Sequence, residues 1–227
     1  MKSVAVVRRE GKSTKEWENL LKSHGFKIEK KKPEFVLSVG GDGTLLVAER
    51  IYPGIPKAVI KESKVCMNCN GLSLEELLKN IKKNNFKTKN YDKLEASYKG
   101  KILKASNDLI IRNKFLTHAI RFTIDYKNIE GKEMIGDGVV VATAFGSKAY
   151  FYSITKRSFK LGFGIAMNNI TQKVKPIFIK NINVTVRITR GTALLAVDND
   201  TNIIELKKGD EIKIMKSKEN TRIITFD

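Results

Sequence analysis

Phe35-Val36-Leu37-Ser38-Val39-Gly40-Gly41-Asp42-Gly43-Thr44 couples an apolar run, interrupted only by Ser38, to three glycines and one carboxylate. A run without polar alternation is the pattern of a strand buried on both faces. Leu45 to Tyr52 continues as a helical pattern that stops before Pro53-Gly54. A buried strand feeding a helix through a glycine loop is the working unit of a parallel α/β architecture. On the N-terminal side, Val4 to Val7 reads as a first strand. Ser13 with Glu16 predicts a capping box for a helix through Ser23, closed by Gly25. Phe26 to Glu29 is a short second strand. On the C-terminal side, Lys57 to Ile60 is another strand, and Ser73 with Glu76 opens a helix from Leu74 to about Lys83.

From Tyr91 the pattern turns to strands. Leu94 to Tyr98 and Lys101 to Ala105 flank Lys99-Gly100 as a hairpin. Leu109 to Ile111, His118 to Ile124, Val139 to Thr143, Ile177 to Ile179, Val184 to Thr189, Ala193 to Val197 and Ile212 to Met215 follow. We therefore expect an α/β domain over 1–92 and a β-rich domain over 93–227.

The chain has 227 residues, 41% of them hydrophobic, enough for one large core or two modest ones. No apolar run approaches the roughly 20 residues that span a bilayer, so a soluble, cytoplasmic protein is expected. The formal charge of +19 comes from 43 Lys and Arg against 24 Asp and Glu. It is dispersed in short runs such as Lys30-Lys31-Lys32 and Lys207-Lys208, without the aromatic-basic pattern of an RNA module, so no specific nucleic-acid partner is expected. A Lys-rich solvated surface or a field attracting polyanionic substrates both account for it. Cys66 and Cys69 make a lone Cys-x-x-Cys. A zinc site would need two more ligands, and the two histidines, His24 and His118, lie far off in sequence. No metal ligand is assigned there; structural thiols are the first reading, with an intersubunit metal site or a redox pair as the alternative.

Adjacent glycines after a buried strand let the backbone approach a ligand, and the N–H groups opening the next helix favour an anion. A di- or triphosphate suits Gly41, Gly43 and Thr44. A carboxylate at Asp42 is out of place there unless it meets a metal or takes a proton from a reacting hydroxyl. The alternative is a strand-to-helix turn with Asp42 as a plain N-cap. The glycines are not followed by Lys-Ser or Lys-Thr, which excludes a Walker loop.

Gly40-Gly41-Asp42-Gly43-Thr44 after a strand resembles the signature shared by NAD kinases, diacylglycerol-type lipid kinases and, more loosely, phosphofructokinases. Gly136-Asp137-Gly138-Val139-Val140-Val141-Ala142-Thr143-Ala144-Phe145-Gly146-Ser147-Lys148-Ala149-Tyr150, with Ser153 beyond, resembles the glycine-rich dinucleotide segment of NAD kinases. Lipid kinases lack it. Gly146-Ser147 would let the chain bend beneath a ligand, Ala149 leaves room for a flat ring, and Tyr150 offers a surface and a hydroxyl. Asn107-Asp108 matches the family's Asn-Glu or Asn-Asp pair, whose amide and carboxylate suit ribose hydroxyls and a carboxamide. Val197-Asp198-Asn199-Asp200 resembles the Asp-Gly-Gln turn, and Lys175-Pro176-Ile177 the Arg-Pro-Leu step.

The resemblance implies an α/β, Rossmann-like N-terminal domain with a parallel sheet, an all-β, sandwich-like C-terminal domain and an interdomain active site. The implied activity is transfer of a phosphoryl group to the 2′-hydroxyl of the adenosine ribose of NAD. ATP or another donor carries Mg²⁺, and Asp42 orients or deprotonates the hydroxyl. Asn107, Asp108, Asp137, Lys148, Ala149, Tyr150 and Ser153 are the implied NAD-binding residues. The family's homo-oligomers imply a homodimer or homotetramer in which Asp137 reaches a neighbour's substrate. The sequence departs from the family at Ala144, Phe145 and Lys148, where Pro and two Thr are usual, and over Ile60 to Gly71, which carries the cysteines. A lipid kinase and a silent NAD- or nucleotide-binding regulator are the rival readings.

Overall fold

The computed structural model describes residues 2–64, 66, 71–126 and 131–226. The chain forms two compact units, one of Met1–Tyr91 with Asn220–Asp227 and the other of Asp92–Glu219.

In the first unit the chain runs β1 (Ser3–Arg8), α1 (Lys15–Ser23), β2 (Lys27–Ile28), β3 (Phe35–Gly40), α2 (Asp42–Ile51), β4 (Lys57–Lys61) and α3 (Leu74–Lys82). The sheet is parallel in the order β2-β1-β3-β4, with Val6 opposite Leu37 and Leu37 opposite Ala58. Every residue of β3 is buried, which the unbroken apolar run demands. Alternate strand residues face opposite layers. Val4, Phe35, Leu37 and Val39 pack with Leu21, Leu77, Leu78 and Ile81 from α1 and α3. Ala5, Val7 and Val36 pack with Ala48 of α2. Helices thus cover both faces, as parallel strands require.

The two expected capping boxes fare differently. Ser73 accepts from the Glu76 N–H while Glu76 accepts from the Ser73 N–H, as read from sequence. At α1 the box is absent, since the N-cap is Thr14 and makes no side-chain cap bond. Thr14 Oγ1 instead donates to Glu18 Oε1 at 2.9 Å, and Glu18 also pairs with Lys30. The helix therefore begins beyond the register in which Glu16 could reach back. Gly25, at φ +70°, closes α1, and the Phe26 N–H returns to the Leu21 carbonyl.

The chain then continues through β5 (Lys87–Tyr98), β6 (Lys101–Ala105), β7 (Asp108–Asn113), β8 (Ile120–Asp125), β9 (Met134–Thr143), α4 (Tyr150–Thr155), β10 (Phe163–Ile170), β11 (Ile177–Ile179), β12 (Asn183–Arg190), β13 (Ala193–Val197), β14 (Ile204–Leu206) and β15 (Glu211–Thr225). The β5–β6 hairpin turns at Lys99-Gly100, both at positive φ, with Tyr98 opposite Lys101. Pairing around β9, the hub of the second unit, is antiparallel. Its first residues pair with β8, its last with β7, and β10 lies along its other edge. A Cβ on Gly138, at the changeover, would meet the Ile111 carbonyl oxygen at 2.0 Å, which accounts for one glycine of the Gly-Asp-Gly element. One large cluster, including Phe122, Val141, Phe163, Ile188 and Ile214, forms the core.

Two features go beyond the sequence reading. β10 and β14 were not expected. The closing residues belong to the first unit rather than the second, because Ile223 at the far end of β15 pairs in parallel with Lys57 of β4.

Candidate active site

In the first unit, β3 delivers Gly40 at φ +158°, and a Cβ there would lie 2.2 Å from Thr44 Oγ1. Only glycine lets the chain turn this closely over the first turn of α2. Gly41 is the N-cap, and Asp42, half-buried, is the first helical residue. The helix thus starts three residues ahead of the expected Leu45. A carboxylate in this position lies at the positive end of the helix dipole, which favours an acidic residue there. The Thr44 N–H donates to the Gly41 carbonyl at 3.0 Å, and Leu45 donates to the same oxygen at 3.1 Å.

Cys66 lies beside this turn, its Sγ 3.9 Å from Asp42 Oδ1. Cys66 is disulfide-bonded, which corrects the expectation of structural thiols. A disulfide sulfur has no proton to donate, so its approach to Asp42 is a packing contact. Cys69 falls outside the described residues. Among the described residues no three His, Cys, Asp or Glu side chains gather as a metal cage.

In the second unit, Asn107 and Asp108 lead into β7, and the turn after β9 packs directly on them. A Cβ on Gly146 would lie 2.3 to 2.4 Å from the backbone of Asn107. Gly146 is thus needed for chain-to-chain packing. Thr143 ties the segments together: its N–H donates to Asn107 O at 2.8 Å, its hydroxyl donates to Ser106 O at 2.5 Å, and the hydroxyl accepts from Gly146 N at 3.0 Å. Ser147 is buried and exchanges hydrogen bonds with the Phe159 backbone. Lys148 and Ala149 stand exposed at the mouth of the turn, and α4 begins at Tyr150. Ser153 is exposed and donates to the Ala149 carbonyl at 3.3 Å. The Tyr150 hydroxyl accepts from Asn168 Nδ2 at 3.3 Å, and Asp137 accepts from Asn169 Nδ2 at 3.1 Å. Asn168 and Asn169, adjacent on β10, therefore connect to Tyr150 and to Asp137. Sequence reasoning gave Asn168 no role; the signal available was an amide pair interrupting an apolar strand.

Asp108 is only 4% exposed, and its carboxylate accepts from the Tyr150 N–H. Burial first, and the negative charge of Asp198 second, push its carboxyl up to about 7, against the pull of that N–H. Burial also pushes Asp198 up, opposed by the N–H groups of Ser106, Asn107 and Asp108 and by the Lys93 ammonium. Between the unfolded value near 4 and about 7 the folded chain holds the Asp108 proton that the unfolded chain has released. The stability from this site is complete below pH ~4 and is lost as pH rises through about 7. The wild type is expected to show a lower urea midpoint at pH 8 than at pH 5.5. Asp108→Asn, which keeps an acceptor for Tyr150, is expected to shrink that difference; an unchanged difference would dismiss Asp108 as its source.

The profile of the ATP-NAD kinase C-terminal domain matches residues 106–226, more than half of the chain. An NAD kinase of Sulfurisphaera tokodaii is 29% identical over 92% of this chain and 87% of its own length. One from Clostridium perfringens is 25% identical over 86% and 75%. In three dimensions the chain is similar to an NAD kinase from Archaeoglobus fulgidus in complex with ATP, at TM-score 0.80 and 20% identity over 99% of this chain and 94% of that one. It is also similar to a yeast NADH kinase complexed with NADH, at TM-score 0.83 and 14% identity over 100% and 84%. These likenesses account for an α/β unit followed by a β unit, and the domain match goes further: the chain belongs to the NAD kinase family, and is an enzyme of the kinase class.

Proposed function

We propose that the chain transfers the terminal phosphoryl group of ATP to the 2′-hydroxyl of the adenosine ribose of NAD, giving NADP. The observation that carries this reading is the lone carboxylate of Asp42 in the first turn of α2, behind the glycine loop, in a chain of this family. The N–H groups of Gly41 and Gly43 are the donors to the phosphates, while Thr44 holds the loop against Gly40. Asp42 accepts the ribose hydroxyl proton as the oxygen attacks phosphorus. Asn107, Ala149 and Tyr150 seat the dinucleotide, with Lys148 and Ser153 at the rim. Asp108 supports the seat by holding the Tyr150 N–H.

Among the described residues no further carboxylates gather around Asp42 as a metal cage, which would suit a Mg²⁺ ion brought in by the donor, with Asp42 the one residue placed to help hold it and the ion supplying charge neutralisation. The same reading takes the assembly as a homodimer or homotetramer, in which Asp137 of one protomer serves its neighbour's substrate. Among the described residues no helix is long and apolar enough to cross a membrane.

Purified protein with Mg²⁺ and NAD is expected to form NADP when ATP is supplied. Parallel incubations with other nucleoside triphosphates and polyphosphate rank the donors, and absence of NADP in every one would overturn the reading. Lys148→Thr is expected to raise the KM for NAD about two- to fivefold, the scale of one exposed charge, and the effect should shrink as salt is raised. Identical kinetics at low salt would remove Lys148 from the site.

A further inference from the structure

We propose that Asp198 is the positioning residue of the dinucleotide seat: its carboxylate grips the backbone of the Asn107 segment and sets where Asn107 and Tyr150 stand. The proposal rests on the reading of NAD as acceptor, and its observations are separate from those behind Asp42.

Asp198 follows β13 in a tight turn closed by Asp200 N to Val197 O at 3.0 Å. Its Oδ2 accepts from Ser106 N at 2.8 Å, and its Oδ1 accepts from Asn107 N at 2.7 Å and Asp108 N at 3.2 Å. Its own N–H donates to the Asp108 carbonyl at 2.9 Å. One side chain thus fixes three successive peptide groups. The carbonyls of the same segment then hold Thr143, and Thr143 holds Gly146. A continuous run of hydrogen bonds leads from Asp198 to the turn that presents Ala149 and Tyr150. A shorter route passes through Asp108, whose carboxylate takes the Tyr150 N–H.

Two costs are accepted to keep this arrangement. Asp198 stands at φ +48°, a left-handed conformation that non-glycine residues adopt at a penalty. Its carboxylate also faces that of buried Asp108, with Lys93, itself 3% exposed, as the nearby cation. A turn that served stability alone could be held by a neutral acceptor without the repulsion. Strain and like charge retained together, one hydrogen bond from the substrate residues, mark geometry kept for the site.

Two variants test this. Asp198→Asn tolerates the left-handed backbone and keeps one oxygen, but turns an NH₂ group toward the Ser106 N–H. Asp198→Gly relieves the backbone and removes the grip altogether, and serves if the Asn protein fails to fold. NAD binding by calorimetry, the KM values for NAD and ATP, and the melting temperature are measured for each. For Asp198→Asn the expected result is a rise of about tenfold in both Kd and KM for NAD, with the KM for ATP within twofold of wild type. Asp198→Gly is expected to lose more. Wild-type NAD affinity in the variants, or NAD and ATP parameters that worsen together with the melting temperature, would overturn the proposal. If the wild type binds NAD yet forms no NADP, the kinase reading fails, and the ratio of NAD affinities still decides for or against Asp198.

Discussion

Asp42→Asn is expected to lower kcat by about two to four orders of magnitude, the usual contribution of a positioned general base, while NAD affinity stays within a fewfold of wild type. Asn has the shape of Asp and is a good residue at a helix start, so α2 should still begin where it does. The stability at stake is the interaction of one carboxylate with the helix dipole, about 0.3–1 kcal/mol, too little to unfold the first unit. A fall in kcat of a hundredfold corresponds to roughly 2.7 kcal/mol in the barrier, well above that figure, so a kinetic loss of this size cannot come from unfolding. The measurement is kcat under saturating NAD and ATP, with NAD binding measured separately. Turnover within threefold of wild type would exclude Asp42 as the base.

The largest effect on stability is expected at Lys57→Met. Lys57 is completely buried and Glu49 is 3% exposed, and the two form a direct ion pair. Lys57 Nζ also donates to the Tyr52 carbonyl at 2.7 Å, and Glu49 Oε1 accepts from Gly54 N at 3.0 Å. The pair therefore pins the end of α2 and the turn beyond it to the head of β4. Removing the cation alone leaves a carboxylate in a dry interior, which costs about 3–5 kcal/mol. For a chain of this size that is a fall in melting temperature of roughly 6–20 °C. The double variant Lys57→Met with Glu49→Leu removes both desolvation penalties and is expected to recover most of the loss, as apolar replacements of buried pairs often do. If the double variant is no better than Lys57→Met, the pair contributes through packing rather than charge.

How much of this was visible in the sequence depends on how far apart the cooperating residues lie. β3, its glycine loop and α2 were legible because the apolar run, the turn and the helix signal are contiguous. The Ser73–Glu76 capping box was legible for the same reason. The Ser13–Glu16 pair has the same spelling but loses its Glu to a helix that starts at Lys15, with Thr14 and Lys30 engaging Glu18 instead. No local pattern foretells that competition. β10 escaped notice because Asn168 and Asn169 interrupt it, Asn169 at φ +48°, although those amides are what meet Tyr150 and Asp137. The packing reason for Gly146 was not legible in its own stretch of sequence. Its neighbour is Asn107, some forty positions earlier, and the close approach exists only once β7 and β9 have paired. Asp198 was seen as part of a turn. Its grip on Ser106, Asn107 and Asp108 spans about ninety residues and has no signature in the order of the letters.

The parallel pairing of Ile223 with Lys57 bears on how this chain must be made. During synthesis on the ribosome, the first ninety-one residues emerge with the flank of β4 still open, and the segment that covers it is translated only after the whole second unit. Vectorial folding therefore cannot finish the N-terminal unit early, and an uncapped strand remains a template for mispairing until the closing residues arrive. A nascent chain stalled before that point is the form in which chaperone protection matters most.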